Sequence, residues 1–142
     1  MKLQNFAMDH WYQSPESGVI LDSAISGEPV AEISSSGLDF QDMVNYARQV
    51  GNPALQKMTF HQRALMLKQL GVYLMERKEL FYECSKATGA TRGDSWIDIE
   101  GGIGTLFSIS SKARIEMPNS TIYIDGKQEN LSRNGTFTGQ HI

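Results

Sequence analysis

A chain of 142 residues suits one ordinary domain, and 40% hydrophobic against 20% charged residues excludes a disordered polymer. The net charge is −3, and Lys and Arg are scattered rather than gathered into a stripe, which argues against nucleic-acid and anionic-membrane surfaces. One cysteine, Cys84, excludes an internal disulfide and a cysteine-based zinc site; with no secretion signal after Met1 and no apolar run near the ~20 residues of a membrane span, a cytoplasmic protein is expected.

Residues 1–37 are strand and turn in character. Val19-Ile20-Leu21 and Val30-Ala31-Glu32-Ile33 are β-prone, and Ser26-Gly27-Glu28-Pro29 between them is turn chemistry, so a hairpin is expected. Residues 38–117 read as about four helices. Asp39 is the N-cap of the first, which carries Phe40, Met43, Val44 and Ala47 on one face and stops at Gly51 with Pro53 beyond. Thr59 and Gln62 form a capping-box pattern for the second, whose inward stripe is Ala64, Leu67, Leu70 and Leu74. A break near Arg77-Lys78 is one option. The next apolar face is Leu80, Phe81, Cys84 and Ala87, ending at Gly89.

The fourth helix begins near Asp94-Ser95, runs through Trp96, Ile99, Ile103, Leu106, Phe107 and Ala113, and ends at Pro118. Gly101, Gly102 and Gly104 lie inside it, each costing about 0.5–1 kcal/mol relative to alanine. Either close backbone packing or a cavity that must stay open would compensate. Residues 118–142 return to strands: Thr121-Ile122-Tyr123-Ile124 closed by Asp125-Gly126, then Asn134-Gly135 as a turn before an extended Thr136–Ile142. The chain stops inside that segment, as a cut would leave it.

No catalytic constellation emerges from the residues. Cys84 sits mid-helix with no histidine nearby in sequence, and is expected to be a buried structural thiol. Gly101-Gly102-Ile103-Gly104 follows helix-like sequence, and Phe107 stands where a dinucleotide loop needs glycine. Asp94 and Asp98 share a helical spacing and, with Glu100, read as acids favoured in a first helical turn. His10, His61 and His141 have no partner at metal-ligand spacing. Asn119, Asn130 and Asn134 match a glycosylation pattern by chance.

The stretch from Ala87-Thr88-Gly89 through Gly93-Asp94-Ser95-Trp96-Ile97-Asp98-Ile99-Glu100-Gly101-Gly102-Ile103-Gly104-Thr105-Leu106-Phe107 carries a resemblance. So do Pro53-Ala54-Leu55-Gln56-Lys57-Met58-Thr59-Phe60, with Arg63-Ala64 and Met66-Leu67-Lys68 after it, and Ala24-Ile25-Ser26-Gly27-Glu28. Together they resemble the N-terminal region of the bifunctional ring-opening proteins of bacterial phenylacetate degradation. Those proteins fuse an aldehyde dehydrogenase to an enoyl-CoA-hydratase-like domain.

The resemblance implies an α+β fold. Residues 1–37 would be a hairpin region, 38–117 helices and 118–142 bridging strands, all within an incomplete nucleotide-binding domain. In the parent enzyme it implies a thiolate attacking a CoA-linked semialdehyde, hydride transfer to NADP or NAD, and thioester hydrolysis. The family's catalytic and cofactor-binding residues fall later in its order, so none is assigned here and no metal is expected. Tight binding of the coenzyme by this fragment is not expected either. The helix corresponding to residues 95–116 borders the family's substrate tunnel, which makes Gly101, Gly102 and Gly104 candidates for an open channel wall. Expected partners are the remainder of a dehydrogenase chain or a second copy through the C-terminal strands, with a large exposed apolar patch where they meet. The alternative is a short non-catalytic chain that self-associates or docks to full-length subunits.

Overall fold

The computed structural model describes residues 1–130, 132–135 and 138–141. Among them the strands form three two-stranded antiparallel sheets, and no parallel sheet is present. Helix and strand are mixed, as an α+β fold requires.

Two hairpins open the chain. β1 (Asn5–Ala7) pairs with β2 (His10–Tyr12) through a turn at Met8 and Asp9, both left-handed with φ of 50° and 66°. Two successive left-handed residues are what a tight hairpin turn demands. The sequence reading missed it because methionine rarely takes that conformation. β3 (Val19–Asp22) pairs with β4 (Pro29–Ile33), as expected. Ser23 Oγ accepts from the amides of Ile25 and Ser26, and Gly27 supplies a φ of 71° in the turn. Asn5 Nδ2 and Tyr12 OH donate to the carbonyls of Ser34 and Ser36, which fastens the first hairpin beside the second.

α1 (Phe40–Tyr46) starts where Asp39 accepts from the amides of Gln41 and Asp42. The expected stop at Gly51 is absent. A π turn (Ala47–Gly51) carries the helix into α2 (Asn52–Gln56), with Asn52 N–H donating to Ala47 O five residues back. Proline normally breaks a helix because it lacks an amide and its ring strikes the carbonyl four residues earlier. The wider turn just before Pro53 re-registers the hydrogen bonds, so the helix passes through it.

α3 (Phe60–Met75) has the full Thr59–Gln62 capping box. The break falls at Glu76-Arg77, before α4 (Lys78–Ser85), and a short 3₁₀ turn then ends at left-handed Gly89. α5 (Arg92–Trp96) begins earlier than expected, because Thr91 is the cap and bonds reciprocally with Asp94. A second π turn (Ile97–Gly101) joins it to α6 (Gly102–Glu116). Counted as continuous rods, the helices are the expected four among the described residues.

The core is the antiparallel crossing of α3 and α6. Ser110 Oγ donates to Ala64 O at 2.7 Å inside it, and Gly71 lies against the Phe107 ring. The ends are tied by Phe60 N–H to Ser120 O and by His61 Nε2 to Met117 O. The inward stripe is therefore Ala64, Leu67, Gly71 and Leu74, while Leu70 is displaced to the rim at 45% exposure. Small residues at both ends of the crossing bring the helices close and turn Leu70 aside.

Three further expectations fail. Cys84 is exposed, not buried. α4 packs by the polar face at spacing i, i+4, i+7 (Lys78, Tyr82, Ser85), which turns Leu80 and Cys84 outward. Thr121–Ile124 is not a strand: Ser120 Oγ takes the Ile122 amide and bends the run, and no strand among the described residues pairs with it. Asp125-Gly126 opens β5 (Asp125–Asn130) instead of closing a turn. Gly126, at φ 79°, sits at the irregular start of the pairing with β6 (Thr138–His141). Gly135 is left-handed at φ 62° in the turn between them, as the Asn-Gly pair suggests. Thr136, Phe137 and Ile142 of the expected extended segment lie outside the described residues. No helix among the described residues is long and apolar enough to cross a membrane.

Candidate functional site

The second π turn opens a cleft of about 400 Å³ between the helices. Leu74 of α3 and Phe81 of α4 form one side. Asp98 and Ile99 of the turn, with Gly102, Ile103 and Leu106 of α6, form the other. Such turns insert an extra residue into the helical ladder and recur at functional sites. The lining is apolar except for Asp98.

A polar clamp holds this turn in place. Glu100 accepts from Lys78 Nζ and from Tyr82 OH, each at 2.9 Å. The Arg92 guanidinium lies 4.3 Å from the centre of the Tyr82 ring and 3.6 Å from Glu79. Hydrogen bonds from Lys78 and then Tyr82 hold the Glu100 carboxyl below its ordinary range. Burial, and then the Glu100 carboxylate, push the Tyr82 phenol above its own. Next door, Ser85 and Ser95 hydroxyls meet at 2.7 Å. Sequence reading missed this clamp, although Lys78, Tyr82 and Ser85 at helical spacing are its signal.

The three glycines divide. Gly102 lines the cleft, and Gly101 and Gly104 do not. A Cβ built on any of the three meets nothing within 4 Å, so close helix packing does not explain them. The close approach is at Gly71, where a Cβ would stand 3.1 Å from the Phe107 ring. The acids divide too: Asp94 bonds its cap, Asp98 faces the cleft and Glu100 is clamped. No group of potential metal ligands occurs among the described residues.

The glycine run does not fit a dinucleotide. It lies inside a helix, preceded by a helix rather than a strand, so its amides are bonded within the ladder and do not converge on a pyrophosphate. Among the described residues the cleft brings together no nucleophile and base. Its character is that of an apolar wall with one acidic residue, Asp98, at its border.

Across its whole length the chain is similar to an aldehyde dehydrogenase, which supports a relationship to that class. The relative is a 3,4-dehydroadipyl-CoA semialdehyde dehydrogenase of Aromatoleum evansii, 29% identical over 143 aligned residues. The alignment takes in 100% of this chain, which spans 28% of the relative's length. No protein-family model matches the chain.

Proposed function

We propose that this chain is the N-terminal part of an NAD(P)-dependent aldehyde dehydrogenase that oxidises a CoA-linked semialdehyde in phenylacetate catabolism. Residues beyond Ile142 supply the thiolate, the base and the coenzyme site. The observation that carries the reading is likeness, along the entire chain, to a dehydrogenase of a CoA-linked semialdehyde. The cleft at Gly102 is one wall of the substrate channel, kept open at that position by the missing side chain so that a bulky thioester can pass. β5 and β6 serve as the bridging strands, in a cytoplasmic oligomer.

The intact mass of the native polypeptide, read with the codons after Ile142, tests this directly. The expected result is a much larger protein that reduces NADP or NAD with a CoA-linked semialdehyde. A mass of 15.8 kDa with a stop codon after Ile142 overturns it. The short chain would then act through self-association or docking. In the larger enzyme, Gly102→Leu should raise KM for the CoA-linked aldehyde while leaving KM for a small aldehyde unchanged. Equal effects on both would remove the channel assignment.

A further inference from the structure

A second, smaller cleft lies on the opposite flank of the α3–α6 pair. We propose that it binds the phosphate group of a phosphate monoester through Lys68, Arg114 and Ser111. The cleft is about 150 Å³ and is lined by these three residues with Phe107 and Ser110. A cleft of this size has room for a phosphate group.

Its construction follows from the crossing. Phe107, Ser111 and Arg114 recur at i, i+4 and i+7 on one face of α6. Lys68 stands one turn beyond Ala64 on α3, and the Ser110–Ala64 hydrogen bond fixes the two helices beside it. Two cations from different helices therefore converge on one cleft.

Among the described residues neither Lys68 nor Arg114 is held in an ion pair, a property shared with Arg48, Lys57, Arg63 and Arg133; what sets these two apart is that they line one cleft together. The nearest acid along the chain, Glu116, is paired with Lys112 at 3.6 Å. Arg114 alone could be assigned to the helix C-terminus, where cations are favoured. That does not account for Lys68, which sits mid-helix. An arginine fork, a lysine point charge and a hydroxyl donor form a set suited to phosphate oxygens, with no carboxylate lining the cleft to repel them. The assignment stands on this geometry and is independent of the dehydrogenase reading.

Calorimetric titration of the native polypeptide at low salt tests it, with coenzyme A, dephospho-coenzyme A and inorganic phosphate as probes. Lys68→Gln/Arg114→Gln should weaken binding by about tenfold or more, the value of lost charge-assisted hydrogen bonds. A charge-matched control, Arg48→Gln/Lys57→Gln, should stay within about twofold if the effect is local and not diffuse. Preference for coenzyme A over its dephospho form identifies an ester-borne phosphate. Binding of inorganic phosphate without that preference identifies the free ion. Should the double variant melt early, Ser111→Asp, which places a carboxylate in the cleft, should abolish binding in a folded chain. No binding of any probe, or equal losses in the double variant and its control, overturns the proposal.

Discussion

Gly71 and Gly102 sit in neighbouring helices and should respond oppositely to substitution. Gly102 faces open space in right-handed helical backbone, so Gly102→Ala should stabilise by about 0.5–1 kcal/mol through helix propensity alone. Gly71 faces the Phe107 ring at 3.1 Å, and Gly71→Leu should destabilise by about 1–3 kcal/mol through overpacking. Urea midpoints of the two variants check both; a destabilised Gly102→Ala would show that something occupies the cleft. Glu100 sets a pH dependence. Its folded carboxyl is held below the ordinary value of ~4.3, so the stability it contributes is present above that value and is lost as pH falls through the folded one. The stability gap between wild type and Glu100→Gln should therefore close on acidification below about pH 4. A gap unchanged between neutral and acid pH would show that the clamp acts by shape and not by charge.

At the scale of elements, the caps decide where helices begin. Thr59 is used twice: its hydroxyl accepts from the Gln62 amide and donates to Asn119 beyond the end of α6. Thr59→Ala should cost about 1–2 kcal/mol, the upper part of the range for a cap, because a link between two helices goes with it. Thr59→Ser should recover most of the loss, measured by thermal melting. This cap, the Asp39 cap, the β3–β4 hairpin and the stop at Gly89 were all legible, because each is written in a few adjacent residues. What was not legible depends on partners distant in sequence. The periodicity of Leu80, Phe81 and Cys84 marked an apolar face correctly, but Glu100 and Ser95 draw the polar face of α4 inward instead. Both π turns were invisible, because the pattern search assumes a constant period and one inserted residue shifts its phase. The glycine run lies in the segment that borders the cleft. It did not distinguish Gly102, which lines the cleft, from Gly101 and Gly104.

For the whole molecule, the decisive quantity is apolar surface. Among the described residues the buried hydrophobic ones are Ala7, Ala31, Ala64, Tyr82 and Ile103, while Leu80 is 64% and Ile115 80% exposed. Val19, Ile20, Leu21, Ile25 and Phe40 also face outward. Burying one such side chain is worth about 1.5–3 kcal/mol, and an ordinary domain is stable by only about 5–15 kcal/mol. Covering a handful of these residues therefore changes stability by as much as the fold itself holds. The polypeptide of residues 1–142 in isolation should then bind a hydrophobic dye, show a weight-average mass that rises with concentration in sedimentation, and melt at a temperature that rises with it. The same residues within a longer dehydrogenase chain should show none of the three, because the surface is already covered. A dye-silent monomer of 15.8 kDa with a concentration-independent melt would mean that the exposed face is tolerated as it stands. The need for a covering partner, on which the short-chain alternative depends, would then be gone.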